Sequence, residues 1–491
     1  MMNFELLYKM TLPPSFDKKS LYIQGTYKQV NDSIAMNKGE IADFGTYFNL
    51  FSVKKWCEYT SIERLQVKLE LTGTFRVEYY GMNTEGEALI LTSNGSAVFD
   101  VHQLNDCDCL GIRLIALSDG IFHSGEYLGL FSSIREVKVG ITICTFNREK
   151  YLLPNLDKLQ QLIESNGNIN VMVIDNGRTL AEKDSANLQI IRNPNYGGSG
   201  GFTRGLIEQV NQRRNTHVIL MDDDVSIELS AFDRLYALLR HLKSEHQEKF
   251  FAGAMLNLDK PAIQTENTAY WNRLISSPFG RNFDLSDKKT LCRNEYAVKH
   301  KNKYAGWWFC CIPLDVVQKI GYPLPNFIKG DDIEYGIRNQ QDVLSMNGIG
   351  VWHEPFAKKI NTTMKYFSDR SMLLVNHFAA DCGRCTFTLA VVLRIIKRAL
   401  KGDVDGIRIL EPALKDLNGG LNIITSTRAD EKFAVIKNYP LNKNILNVIC
   451  SIIKATFYHI KNYHSLNENF LRFRLEKLSN QTFWRNYLNL H

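Results

Sequence analysis

The chain lacks any apolar run long enough to span a bilayer, which needs about 20 consecutive residues. Its first residues, Met1-Met2-Asn3-Phe4-Glu5, include an acid and no extended apolar core, so no secretory leader is expected. The ten cysteines are scattered, with Cys107 and Cys109, Cys310 and Cys311, and Cys382 and Cys385 as the close pairs. Cys382-Gly383-Arg384-Cys385 has the spacing of a zinc half-site, but no second pair completes the set. Buried thiols in a reducing, cytoplasmic setting are the expectation. No nucleic-acid-binding motif stands out. A formal charge of +7 over 491 residues does not demand nucleic acid, though it leaves room for an acidic ligand or surface. No Walker Gly-Lys-Ser/Thr and no convincing dinucleotide fingerprint are present.

What is present is ordinary in bulk: 44% hydrophobic and 23% charged residues, as in a soluble globular protein. The length implies two or three domains. The stretch that organises the rest is Leu220-Met221-Asp222-Asp223-Asp224, three acids directly after the apolar run His217-Val218-Ile219-Leu220-Met221. Such a run reads as a buried strand presenting its acids at its carboxyl end, where open α/β sheets bind ligands. Adjacent carboxylates repel one another unless a cation sits between them. Hard oxygen ligands suit Mn2+ or Mg2+.

Before that core, residues 1–134 show short alternating segments, Leu65 to Leu71 and Thr74 to Tyr80, with turns at Gly81, Gly86 and Asn94-Gly95. They predict a β-sandwich with Val67, Leu69 and Leu71 on one face, either binding carbohydrate or bracing the next domain. From residue 135 the rhythm changes. A strand from Val137 runs into Thr145-Phe146-Asn147-Arg148, a helix follows over about 150–164, and further strands run from Ile169 to Ile174 and from Leu188 to Ile191. A helix over about 203–213 then precedes the acidic strand. This predicts a mostly parallel sheet with helices on both faces. The segment Asn193 to Phe202 holds four glycines in five residues and opens a helix, a combination suited to phosphate or nucleotide.

Three later motifs add chemistry. Gly306-Trp307-Trp308 offers indole faces on which a sugar ring can pack. Lys329-Gly330-Asp331-Asp332 is a second acid pair suited to a helix N-terminus, and it supplies carboxylates separate from those on a metal, as a general base must be. Val351-Trp352-His353 ends a short strand in a histidine that could complete a metal shell of two Asp and one His.

In this order the motifs resemble those of bacterial galactofuranosyltransferases of the mycobacterial polymerising type, inverting GT-A (family 2) glycosyltransferases. The resemblance implies an α/β, Rossmann-like GT-A core over 135–365, between the β-sandwich of 1–134 and a helical region over 366–491. It implies that Thr145 and Arg148 hold the diphosphate nucleotide, with Asp175 near the uracil and Asn195 near the ribose or phosphate. Asp223 and Lys329 join this donor-binding set. Asp222 and Asp224 become metal ligands with His353 as the third. Trp307 and Trp308 shape the sugar site, Asp332 becomes the general base, and Asp331 holds donor sugar or acceptor. Where the family has Trp before the acid pair, this chain has Gly330, which removes a wall of the acceptor site. The reaction implied is transfer of galactofuranose from UDP-galactofuranose to a glycan, lipid-linked in this family. Another donor, dTDP-rhamnose or UDP-galactopyranose, and a non-catalytic glycan-binding subunit are the competing readings.

Toward the C-terminus, Phe387 to Lys401 mixes an apolar surface with Arg394, Lys397, Arg398 and Lys401, and Ile445 to Lys454 is similar. Core-facing helices, or a basic amphipathic surface on the inner face of a membrane, both fit. Acceptor, linkage, processivity and homo-oligomerisation stay open at the level of sequence.

Overall fold

The computed structural model describes residues 3–296, 298–355, 361–379, 382–426 and 428–490. Its N-terminal part is two sheets. One runs Lys28–Val30, Ser33–Met36, Gly120–Phe131, Ile62–Thr72, Ala97–Asp100, with Glu5–Lys9 also on Gly120–Phe131; the other runs Gln24–Gly25, Ile41–Asp43, Cys109–Ala116, Phe75–Met82, Glu87–Ser93. The alternation read over Leu65 to Leu71 holds within the strand Ile62–Thr72. Val67 is fully buried, and Leu69 and Leu71 pack against the same core from its edge. Aromatic contacts join the two sheets, Tyr79 with Phe99 and Phe44 with Phe122.

The second part is built on an eight-stranded sheet. Its order is Lys183–Asp184, Leu188–Arg192, Ile169–Asp175, Val139–Thr145, His217–Asp222, Cys310–Pro313, Phe250–Ala252, Val343–Leu344. The strands from Leu188–Arg192 to His217–Asp222 are parallel. They are mostly apolar in their middles because helices cover both faces. Ile219 and Met221 join the core that includes Leu152 and Leu159 of the Glu149–Ser165 helix. Val218 and Leu220 join the core that includes Phe202 and Leu206 of the Gly197–Gln212 helix.

The mostly parallel sheet read from the sequence is present, with Cys310–Pro313 and Lys183–Asp184 as its antiparallel strands. Periodicity reports which residues are buried, not which way a strand runs. The helix read over 203–213 starts at Gly197, so the glycine-rich segment is its first turns. A Cβ on Gly201 would stand 2.2 Å from the Cys144 sulfur. That glycine lets the helix lie close on the Val139–Thr145 strand.

A smaller five-stranded sheet carries the order Val225–Ile227, Gly350–His353, Ala254–Asn257, Ile263–Glu266, Phe283–Asp284. Helices follow to the end, among them Thr362–Val375, Arg384–Leu400, Val404–Asn418 and Ile445–Lys461. Tyr487, near the C-terminus, packs back on Tyr196 at the start of the glycine-rich helix. Among the described residues, no helix is long and apolar enough to cross a membrane.

Candidate active site

Asp222 is the last residue of its strand, at the carboxyl edge of the sheet. The chain then turns through Asp223 and Asp224 into Val225–Ile227, which pairs antiparallel with Gly350–His353 in a register that sets Val225 opposite His353. Two residues more than 120 positions apart in sequence are thereby neighbours. Ligand atoms of Asp222, Asp224 and His353 all lie within 4.8 Å of one another. The His353 ring is oriented from behind: Nδ1 donates to the Glu354 carbonyl at 2.5 Å, and Nε2 faces Asp224 Oδ1 at 3.2 Å. Burial works against a charged His353, but the hydrogen bond and charge of Asp224, with the charge of Asp222, outweigh it and hold its pKa above the ordinary value. Burial and the neighbouring Asp224 push the Asp222 carboxyl upward. Two carboxylates and an imidazole converging in this way fit a divalent cation such as Mn2+ or Mg2+.

The third acid is used differently. Asp223 accepts from Thr145 Oγ1 at 2.7 Å and from Arg148 Nη1 at 3.4 Å, and the same Arg148 nitrogen meets Asp224 Oδ2 at 2.5 Å. Asn155 of the Glu149–Ser165 helix donates to the Val225 carbonyl at 2.7 Å, fixing the turn. Sequence reading passed over Asn155, since one asparagine within a helical pattern carries no signal.

The second acid pair starts the Asp331–Arg338 helix, across the same cavity. Gly330 precedes it at φ 81°, and Lys329 stands at φ 68°. Glycine adopts the left-handed backbone at this point without strain. Asp332 accepts from the Ile333 amide at 2.8 Å. Burial raises the Asp332 carboxyl above its usual range, with the Ile333 amide and the Lys329 charge pulling partly back. Asp331 is raised by burial and by the charge of Asp332.

A cavity of about 800 Å3 joins the two clusters. Arg148, Asp222, Asp223, Asp224, Trp307, Trp308, Lys329, Asp331, Asp332 and His353 all line it. Trp307 stands edge-on to Phe202 at 5.3 Å, and the Trp308 indole N–H donates to the Gly253 carbonyl at 2.9 Å. Both indoles are about 95% buried, so they act as fixed walls with one edge to the cavity. Of the glycine-rich segment, Gly198 reaches the cavity, and the space in front of it is open.

Two candidates lie elsewhere. Asp175 is fully buried, and its carboxylate accepts from the Gly177, Arg178 and Leu180 amides, at 3.0, 2.9 and 2.8 Å. Asn195 accepts from the Gly197 amide at 3.1 Å. Neither lines the cavity among the described residues. Both shape the backbone beside it, and Thr145 likewise acts through Asp223. In their place the structure brings in residues from the C-terminal helices, including Lys365, Arg394 and Lys397. Their basic character is legible in the sequence; their position on the cavity wall is not, because it depends on how the helices pack.

The sandwich reaches this site through the strand Gly350–His353 among others. Trp352, next to His353, takes the Phe48 ring at 5.5 Å and the Lys18 ammonium at 3.6 Å from its centroid. Arg234 adds a donor to the Phe48 carbonyl at 2.6 Å. The sandwich therefore buttresses the strand that carries the third metal-type ligand.

Residues 137–351 match the family described as glycosyltransferase like family 2, and residues 13–121 match the galactofuranosyltransferase 2 N-terminal family. Galactofuranosyltransferase GlfT2 of Mycolicibacterium smegmatis is 25% identical over 463 residues, covering 84% of this chain and 71% of the relative. The protein of the same name from Mycobacterium tuberculosis is 24% identical over 461 residues, covering 83% and 70%. A solved structure of S. aureus TarS 1-349 with UDP covers 67% of this chain and 91% of that one at 13% identity, with a TM-score of 0.36, too loose an overlap to argue from. The chain therefore carries a glycosyltransferase family 2-like domain and resembles the mycobacterial galactofuranosyltransferases over most of its length.

Proposed function

We propose that this chain is an inverting, metal-dependent galactofuranosyltransferase. It moves galactofuranose from UDP-galactofuranose to a hydroxyl of a lipid-linked glycan in the synthesis of a cell-surface polysaccharide, working on the inner face of the membrane. The observation that carries the reading is the single cavity lined at once by the acid–acid–histidine trio, the second acid pair and the two indoles. The names of the relatives support the choice of donor sugar. The chain divides, on this reading, into a sandwich over 1–134, a transferase domain over 135–365 and a helical region over 366–491.

Asp222, Asp224 and His353 would hold Mn2+ or Mg2+. A divalent ion there supplies neutralising charge to the diphosphate leaving group. Arg148 and Lys329 bring cations to the same group. Asp223, held by Thr145, keeps Arg148 in place, while Asp175 and Asn195 shape the loops beside the nucleotide. Trp307 and Trp308 wall the sugar site. Asp332 takes the proton from the acceptor hydroxyl, whose oxygen bonds to the anomeric carbon. The bond from that carbon to the diphosphate oxygen breaks on the opposite side, and configuration inverts. Asp331 holds a sugar hydroxyl. A carboxylate raised above its usual range by burial is better matched to this base role near neutral pH.

The test is transfer by purified protein, with Mn2+, a galactose-terminated acceptor and a panel of nucleotide sugars. Turnover of UDP-galactofuranose alone supports the proposal. Turnover of only dTDP-rhamnose or UDP-galactopyranose keeps the mechanism and replaces the donor. Binding of UDP without turnover on any acceptor contradicts the proposal.

A further inference from the structure

The segment that carries the second acid pair has a costly backbone. Phe327 stands at φ 70° and Lys329 at φ 68°, with Gly330 at φ 81° after them. A residue with a Cβ resists the left-handed region and stays there only where its surroundings hold it. The Asp331–Arg338 helix starts directly afterwards, so the backbone from 327 to 330 aims Asp331 and Asp332. The Asn326 side chain, a usual turn stabiliser, does not supply the hold. It is fully buried, and its amide group finds no hydrogen-bond partner among the described residues.

The hold comes from outside the segment, on its carbonyls. Ser199, fully buried in the first turn of the Gly197–Gln212 helix, donates its hydroxyl to the Leu324 carbonyl and its amide to the Phe327 carbonyl, the latter at 3.2 Å. That amide is among the first of the helix, which have no partner within it. Arg370, from the Thr362–Val375 helix, donates to the Asn326 carbonyl at 2.7 Å. Gly197 admits the close approach, since a Cβ there would stand 2.2 Å from the Phe327 carbonyl oxygen. The Phe327 ring packs on Phe367 at 5.1 Å. Gly198, one residue before Ser199, lines the cavity. One helical turn thus faces the cavity and fastens the segment that bears the acids.

We propose that Ser199 is a positioning residue for transfer, latching the 324–330 segment in the left-handed form that presents Asp332. The inference rests on the transferase reading above and adds to it a residue that acts only through the base. Without the hydroxyl, the segment keeps the Arg370 bond and the packing of Phe327. It relaxes more often from the left-handed form, and Asp332 is then out of reach of the acceptor hydroxyl. Asp222, Asp224 and His353 come from other strands, so metal-dependent nucleotide binding stays.

The experiment compares Ser199→Ala with wild type in steady-state transfer, in UDP binding with Mn2+, in the melting transition and in amide hydrogen exchange over residues 324–333. The kcat is expected to fall by about five- to ten-fold, with donor KM and UDP affinity within about two-fold. Exchange over 324–333 speeds up by a similar factor, and the melting transition moves by no more than about 3 °C. Ser199→Cys, which keeps a weak donor, recovers part of the lost kcat. If Ser199→Ala fails to fold, Ser199→Cys replaces it, with about a three-fold loss of kcat expected. Turnover and exchange equal to wild type overturn the proposal. So does a fall in kcat matched by an equal loss of UDP affinity, since Ser199 would then support the whole site. A wild-type protein with no transferase activity removes the transferase reading instead. The latch is then judged by exchange alone: faster exchange in the variant sustains it, and unchanged exchange overturns it.

Discussion

The two acid clusters of the cavity are alike in sequence and unlike in their surroundings. Asp222 to Asp224 lie on a turn crowded with donors: Thr145 and Arg148 on one side, His353 on the other. Asp331 and Asp332 stand at a helix start, where Asp332 accepts a backbone amide and the Lys329 charge acts on both. Burial raises carboxyls in both places, but the partners differ. The first cluster brings an imidazole and two carboxylates to one point, a geometry suited to a cation. The second presents a basic carboxylate to open space, a geometry suited to taking a proton. Neighbours, not residue type, separate the roles.

Substitutions in each cluster can break or sharpen that division. The largest effect is expected from Asp332→Asn, which should lower turnover by about a thousand-fold or more while nucleotide binding stays near wild type. A variant with substantial turnover would erase the distinction. Next comes Asp224→Ala, which should weaken metal-dependent UDP binding by at least about ten-fold, read by calorimetry with and without Mn2+. A smaller effect is expected in the pH profile. A base works when deprotonated, so turnover should fall as pH drops through the raised Asp332 value, above the ordinary Asp value of about 3.9. Lys329 pulls that value down, so Lys329→Gln should shift the acid limb to higher pH. An unmoved limb would detach Lys329 from the base. The smallest effect is expected at the far end of the brace. Lys18→Ala removes the cation over Trp352 and should weaken Mn2+ affinity by about two- to five-fold, leaving the acid limb unchanged.

Much of this site is legible in the sequence, because each motif ends an apolar strand or opens a helix. The acid run 222–224 and His353 stand out by strand-end position and ligand chemistry, and the resemblance singles out Asp222 and Asp224 within the run. The sequence cannot say that Trp352 turns to the sandwich while His353 turns to the metal-type site, since that depends on the pairing of Gly350–His353 with Val225–Ile227. The glycine-rich segment has two uses that sequence does not separate: Gly201 is set by close packing on Cys144, while Gly198 lines the cavity. Asp175 and Asn195 likewise spend their oxygens on backbone amides, a use that leaves no mark in sequence. The strand Cys310–Pro313 reads as buried whichever way it runs.

The most direct test of the division between the clusters is calorimetric titration of UDP, with and without Mn2+, into wild type, Asp332→Asn and Asp224→Ala, alongside transfer by the same samples. The account predicts wild-type metal-dependent binding without turnover for Asp332→Asn, and weakened metal-dependent binding for Asp224→Ala. Loss of metal-dependent binding in Asp332→Asn, with binding intact in Asp224→Ala, would contradict it.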